Sequence, residues 1–249
     1  MKSKAVVIAL VFSLLIAGIS TAYAVFPEVQ ETVQNFEIWA NNLGRKPDDP
    51  YYLTMNYRLR RLYLAITAFN KKDPVVFFGD SITFGANWQQ LFPKTTVVNR
   101  GISGDTTLGL LNRQSEIIAL HPHQVFLMIG TNDLCFERPL AQILENYRLI
   151  LERFQQELPG TPVYVQSVLP FNDKLFPSRG LRKNEYIRAL NNGIKQLAEE
   201  FDYRYIDLTT AFTAPDGRLM PEYTYDGLHL NDKAYQVWRN LINPLVVKR

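Results

Sequence analysis

Cysteine is almost absent from this chain of 249 residues: Cys135 stands alone, which excludes an intrachain disulfide and any CxxC metal or redox site. Histidine is nearly as scarce, with His121, His123 and His229 only, so any chemistry that needs an imidazole has three candidates. Net charge is small. Lys2 and Lys4 flank the first apolar segment, and without them 25 basic residues face 24 acidic ones, a balance that does not suit nucleic-acid binding. No Gly/Ser-rich or Pro-rich linker, internal repeat or low-complexity tract divides the chain, so one generous domain is expected. A composition 47% hydrophobic and 20% charged excludes a disordered chain and a polytopic membrane protein.

The longest apolar run, Ala5 to Ile19, falls short of the roughly 20 residues of a spanning helix. With Lys2 and Lys4 before it and Ala22-Tyr23-Ala24 after it, residues 1–24 read as a secretory signal, with a retained N-terminal membrane anchor as the alternative. Either reading expects an exported protein, periplasmic or secreted. Residues 25–72 are expected to form a helical extension, with one helix over Pro27 to Asn42 and a breaker cluster from Gly44 to Pro50. A second helix follows, in which Tyr52, Met55, Leu59, Leu62, Ile66 and Phe69 form the inward stripe and Arg58, Arg60 and Arg61 a solvated face.

From Pro74 onward apolar runs alternate with amphipathic stretches. Strands are expected at Val75 to Phe78, Thr96 to Asn99, Gln124 to Ile129, Val163 to Val168 and Tyr203 to Leu208. Helices are expected at Thr107 to Leu120, Leu140 to Leu158, Lys183 to Phe201 and Asp232 to Ile242. Strands separated by helices imply a parallel sheet covered on both faces, a three-layer α/β/α sandwich.

In such a sheet the loops after the strands share one rim, where chemistry is done. Ser81 stands just past the first strand, in Gly79-Asp80-Ser81-Ile82-Thr83. Taken alone, a serine there more often caps the next helix than attacks a substrate. The other rim loops change that reading: Asn99 to Thr106 holds Gly104, Gly130-Thr131-Asn132-Asp133 holds Asn132, and Asp226-Gly227-Leu228-His229 holds an acid and a base. A serine hydroxyl needs a base to take its proton and a carboxylate to fix that base. His121 and His123 precede the third strand, at the opposite rim, which leaves His229 for Ser81, with Asp226 within reach of its other ring nitrogen. The negative oxygen of acyl transfer needs donors around it. The backbone N–H of Gly104, the side-chain amide of Asn132 and the Ser81 N–H are the candidates.

Other hydrolases fit less well. The Gly-x-Ser-x-Gly elbow would need glycine where Thr83 stands. A metal site on His121-Pro122-His123 lacks further ligands, and Cys135, beside Leu134 and Phe136, has no histidine of its own.

Together the four blocks, Gly79-Asp80-Ser81, Gly101-x-x-Gly104-Asp105, Gly130-Thr131-Asn132-Asp133 and Asp226-x-x-His229, resemble the GDSL or SGNH hydrolase family of esterases and lipases. The likeness runs from about Pro74 to Ile242, inside a hydrolase domain bounded here at 73–249. The stretch Asn-Arg-Gly-Ile-Ser-Gly-Asp-Thr-Thr is closest to the platelet-activating-factor acetylhydrolase-like group. The first block reads Gly-Asp-Ser-Ile in place of Gly-Asp-Ser-Leu. What the resemblance implies is a five-stranded flavodoxin-like sheet, Ser81 as nucleophile, His229 as base oriented by Asp226, and Gly104 and Asn132 as oxyanion donors. The function expected is a serine esterase that needs no metal or cofactor and acts on small esters, acylated glycans or lipids. An O-acyltransferase on a glycan, a lysophospholipase and a binding module that has lost activity are the alternatives.

The segment from Pro170 to Gly180 exceeds the usual strand-to-helix loop of about two to six residues and is expected to wall the pocket. Phe171 and Phe176 are its candidate substrate contacts. Lys174, Arg179, Arg182 and Lys183 are candidates to attract an anionic group. A rim of this kind offers a shallow trough, so short acyl groups, chiefly acetyl, are the expected substrates. The pattern leaves the oligomeric state open.

Overall fold

The computed structural model describes residues 55–68 and 71–246. The expected signal or anchor at 1–24, the helix over Pro27 to Asn42 and the breaker cluster lie outside the described residues. The chain divides into a unit ending at Arg58 and a second from Leu59 to Arg249, and the second carries the sheet.

After helix α1 (Met55–Ala68) come β1 (Val75–Gly79), the short helices α2 (Ser81–Phe84) and α3 (Trp88–Leu91), β2 (Val97–Gly101), α4 (Thr107–Ile118) and β3 (Gln124–Met128). The chain continues through α5 (Thr131–Cys135), α6 (Leu140–Glu157), β4 (Val163–Gln166), α7 (Asn184–Glu200), β5 (Arg204–Ile206), α8 (Thr209–Phe212) and α9 (Asp232–Ile242). The five strands are all parallel, in the order β2-β1-β3-β4-β5, as the α/β/α expectation requires. Because the order reverses after β1, the loops following β1 and β3 part at a switch point, the crevice where open α/β sheets hold ligands.

Every residue of β1 and of β3 is buried, which explains why these strands read as unbroken apolar runs. Register aligns Phe77 with Phe126 and Phe126 with Tyr164, and their rings stack across one face of the sheet at 5.0 and 4.6 Å. Trp88 lies flat on Phe77 at 3.7 Å and meets the edge of Trp238 from α9. On the other face Phe78 packs against Phe154 of α6, with α4, α6 and α7 side by side.

Two strands stop earlier than their apolar runs suggest. β4 ends at Gln166 because the Asn191 side chain takes both backbone groups of Val168, accepting from its N–H and donating to its carbonyl, each at 2.8 Å. β5 ends at Ile206, and the Leu208 N–H turns to the Ser167 hydroxyl at 2.8 Å. A polar side chain has replaced the ladder in each case.

The expected face of α1 is corrected. Leu59 and Leu62 are 41% and 58% exposed, whereas Leu64 is buried. Of the arginines, Arg58 is exposed as expected, but the Arg60 guanidinium lies 4.2 Å over the Phe84 ring and Arg61 pairs with Glu116. A long basic side chain covers apolar surface with its stem, and hydropathy spacing does not register that.

Gly79 and Gly101 are register partners, and the end of β2 lies directly against the turn that carries Ser81. A methyl group at Gly101 would come within 2.6 Å of Phe84 Cα and 2.8 Å of the Asp80 carbonyl oxygen, backbone atoms that have nowhere to retreat. Gly101→Ala is therefore expected to lower stability by about 1–3 kcal/mol through overpacking. Urea unfolding checks it, and an unchanged midpoint would mean that the two segments are not in contact.

Candidate active site

β1 delivers its chain to the rim at Gly79, and Asp80 caps α2 by accepting the Ile82 N–H at 2.9 Å. Ser81 is thus the first residue of a helical turn, half-buried at the crevice. Across from it, residues 224–230 form a tight turn around one carboxylate. Asp226 Oδ1 accepts from the N–H groups of both Leu228 and His229 at 2.8 Å, and Oδ2 lies 2.7 Å from His229 Nδ1. The Thr224 hydroxyl closes the turn, accepting from Gly227 N–H and donating to the His229 carbonyl. Gly227 has φ +96, a left-handed conformation that suits glycine.

His229 Nε2 stands 3.1 Å from Ser81 Oγ. With Nδ1–H given to the Asp226 carboxylate, Nε2 keeps its lone pair for the serine proton. Serine, imidazole and carboxylate in this order can carry out nucleophilic acyl transfer.

The second side of the crevice is built from the loops after β2 and β3. Gly104, at φ +74, is half-exposed there. Asn132 follows Gly130, which turns the chain at φ +130, and is almost buried in the first turn of α5. Its Nδ2 donates to the Asp105 carbonyl at 2.9 Å, and its Oδ1 accepts from Arg182 Nη2 at 3.1 Å. The neighbouring Asp133 is fully buried and accepts from Thr107 N–H, Thr107 Oγ1 and Arg138, tying α5 to the start of α4.

The long segment after β4 reaches the site through Phe176 and Arg182. Phe176 meets the His229 ring edge-on at 6.4 Å, and the Arg182 guanidinium lies 5.6 Å over the Phe176 ring. Phe171 is a correction: it is 1% exposed and packs in the core, where Asn184 holds both its backbone groups. The expected cationic cluster is also dispersed. Arg182 is buried against α5, Lys174 leans towards Asp216, and Arg179 and Lys183 are exposed. His121 and His123 lie before β3, where His123 N–H bonds the Pro74 carbonyl at the rim opposite Ser81.

The family model for GDSL-like lipase/acylhydrolase proteins matches residues 77–237. The chain belongs to that family. A curated relative, platelet-activating factor acetylhydrolase IB subunit alpha1 of Bos taurus, is 29% identical over 67% of this chain and 72% of its own length. Among solved structures, a GDSL-like lipase from Bacteroides thetaiotaomicron has TM-score 0.65 and 28% identity, covering 76% of this chain and 96% of its own. A Streptococcus pneumoniae protein described as a candidate platelet activating factor has TM-score 0.71 and 27% identity, covering 87% and 98%.

Two carboxyls beside the GDSL serine are pushed in opposite directions. Burial alone would raise Asp226, but the hydrogen bond and charge of His229 and the backbone amides of the turn outweigh it and hold the carboxyl at about 2. Burial raises Asp80 to about 7, against the opposing Ile82 N–H and the more distant charge of His229. Two residues that the GDSL blocks do not mark complete the site. Arg113 and Arg182 are both buried in it; Arg182 is among the candidate anion-attracting cations, whereas Arg113, between Asn112 and Gln114, carries no local signal.

The raised Asp80 sets a pH dependence of stability. Unfolded, this aspartate loses its proton near pH ~4. Folded, it holds the proton to about 7, so its contribution is full below that first value and is lost as pH rises through the second. Asp80→Asn keeps an oxygen for Ile82 and cannot ionise. Relative to the parent, the variant is expected to gain thermal stability between pH 4 and pH 8. Melting curves across that range check it, and a constant difference between the two proteins would show that Asp80 is not the group responsible.

Proposed function

We propose that this GDSL-family acylhydrolase is a serine esterase that works through an acyl-enzyme. The observation that carries the reading is the line from Ser81 Oγ to His229 Nε2 at 3.1 Å and from His229 Nδ1 to Asp226 Oδ2 at 2.7 Å. Ser81 attacks the ester carbonyl while His229 takes its proton. Asp226 holds the ring in the tautomer that leaves Nε2 free and stabilises the imidazolium. The oxygen that becomes negative is received by the N–H groups of Ser81 and Gly104 and by the Asn132 amide. His229 then returns the proton to the departing alcohol, and water repeats the sequence in reverse to free the acid.

A short acyl group, chiefly acetyl, is the proposed substrate portion, on a polar carrier such as a glycan. Two features support it. The mammalian relatives are named for acetyl hydrolysis. Phe176 stands beside His229, and its segment is seated on the Asp226–His229 turn by the Asn172 N–H on the Gly227 carbonyl at 2.7 Å, which sets an aromatic ring at the side of the crevice. Export from the cytoplasm is proposed from residues 1–24 alone, on their charged, apolar and small-residue order.

Ser81→Ala is expected to leave a folded protein with esterase activity lowered on the order of a thousandfold or more. A serine-directed organophosphonate should label Ser81 in the parent, read by peptide mass spectrometry. Retained activity, or an adduct elsewhere, would end the mechanism.

The acyl preference has its own test in kcat/KM across esters from acetyl to octanoyl. The value is expected to fall with length, and Phe176→Ala should change that profile more than it changes the melting temperature. A rising profile would make the protein a lysophospholipase, and acylated product formed on an added carbohydrate acceptor would make it an O-acyltransferase.

A further inference from the structure

Asn132 is a symmetric-looking choice for an oxyanion donor. Its amide carries a donor and an acceptor on arms of similar shape, and a half-turn about χ2 would present the oxygen to the developing negative charge. Something must make that half-turn costly.

The surroundings do so from two sides. Asp105 contributes a carbonyl, which accepts from Nδ2 at 2.9 Å and offers no donor there. Arg182 contributes a guanidinium, which is all donor, with Nη2 on Asn132 Oδ1 at 3.1 Å and Nε on the Thr131 carbonyl at 3.2 Å. Turning the amide over would set oxygen against oxygen at Asp105 and N–H against N–H at Arg182, losing both bonds in a place that water reaches poorly. Arg182 is 4% exposed, and its fork is fixed by the Thr131 carbonyl and by the Phe176 ring beneath it. A positive charge bonded to the amide oxygen also draws electron density from the nitrogen, which makes the remaining N–H a stronger donor.

We infer that Arg182 is a positioning residue for the oxyanion hole: it locks Asn132 with its second N–H facing the reacting carbonyl and strengthens that N–H through the amide. The inference rests on the serine-esterase reading above. Arg182 touches no reacting atom, so its whole effect passes through Asn132.

The test is a double-mutant cycle in steady-state kinetics with an acetyl ester. Asn132→Ala is expected to lower kcat about a hundredfold to a thousandfold, the usual loss for one oxyanion donor. Arg182→Met, which keeps the buried stem, should lower kcat about tenfold to a hundredfold with KM within about twofold. Added to Asn132→Ala, it should cost less than about twofold more, since nothing is left to position. Arg182→Lys, with the charge but a single point of contact, should fall between parent and Arg182→Met. If Arg182→Met does not fold, as read by circular dichroism, Arg182→Lys takes its place in the cycle with the same expected loss of effect.

A purely structural role would lower melting temperature alike in both backgrounds and leave kcat losses that multiply. Multiplying losses, or a rise in KM at constant kcat, would overturn the inference. Ser81→Ala separates the two levels. If it is inactive while the Arg182 and Asn132 losses multiply, the esterase reading stands and only the role of Arg182 falls; if it is active, both fall.

Discussion

Arg113 holds the rim together. Its Nε donates to Asp105 Oδ2 at 2.8 Å, its Nη2 donates to the Gly79 carbonyl at 3.0 Å, and its plane lies 4.6 Å from the centre of the Phe78 ring. Asp105 in turn offers its carbonyl to Asn132. One guanidinium therefore joins the loop after β1, which carries Ser81, to the loop after β2, which carries Gly104, and through it to the loop after β3. The pair is fully buried, and breaking such a pair by removing one partner costs about 3–5 kcal/mol, because the other charge is left without compensation. Nη1 finds no hydrogen-bond partner among the described residues. An ion pair bought at that cost contributes less to net stability than to register: three loops that must meet within a fraction of an ångström are fastened to one rigid plane.

How much of this could be read beforehand follows from how local each signal is. β1 and β3 are covered on both faces, so a contiguous run of apolar residues is all that their environment demands. The four blocks were legible because each lies within a few residues of a strand end or within one turn, and His229 was singled out by the scarcity of histidine. Arg113 was not legible. It stands on α4 among residues spaced for burial, and only the fold shows that an arginine on that face meets Asp105 and Gly79. Phe171 and Phe176 look alike in sequence, five residues apart on one loop. Asn184 draws the backbone of Phe171 inward, while Phe176 passes over Gly227 to reach His229. The phase of α1 was lost for a similar reason: Arg60 lies over Phe84 while Leu59 and Leu62 face outward.

The two displaced carboxyls suit a serine–imidazole pair set between them. With its carboxyl held at about 2, Asp226 is ionised at neutral pH and accepts the hydrogen bond from His229 Nδ1–H. Asp80, one residue from Ser81 and 1% exposed, would be a competing anion at the same imidazole if it ionised as easily. Burial keeps it reluctant, and the nearby negative charge of Asp105 adds to that reluctance. The Arg113 pair that fastens the loops thus also supplies, in Asp105, part of the field that raises the Asp80 carboxyl.

The segment between β4 and α7 spans the crevice in a way that its length alone does not reveal. At one end Asn172 donates its N–H to the Gly227 carbonyl and its side-chain amide to the Leu219 carbonyl, seating the segment on the turn that holds Asp226 and His229. At the other end Arg182 bonds Thr131 and Asn132, and Leu181 N–H bonds the Leu134 carbonyl, seating it on α5. Phe176 lies between, edge-on to His229 and under the Arg182 guanidinium. His229 and Asn132, the base and the oxyanion donor of the proposed mechanism, are therefore spaced by a single stretch of chain outside the sheet. On the proposed mechanism, a change of length or sequence between Asp173 and Gly180 would alter the surroundings of the acyl group without moving Ser81, whose place is set by β1 and Arg113. Selection for a new ester can then work on this segment while the machinery that breaks the ester stays as it is.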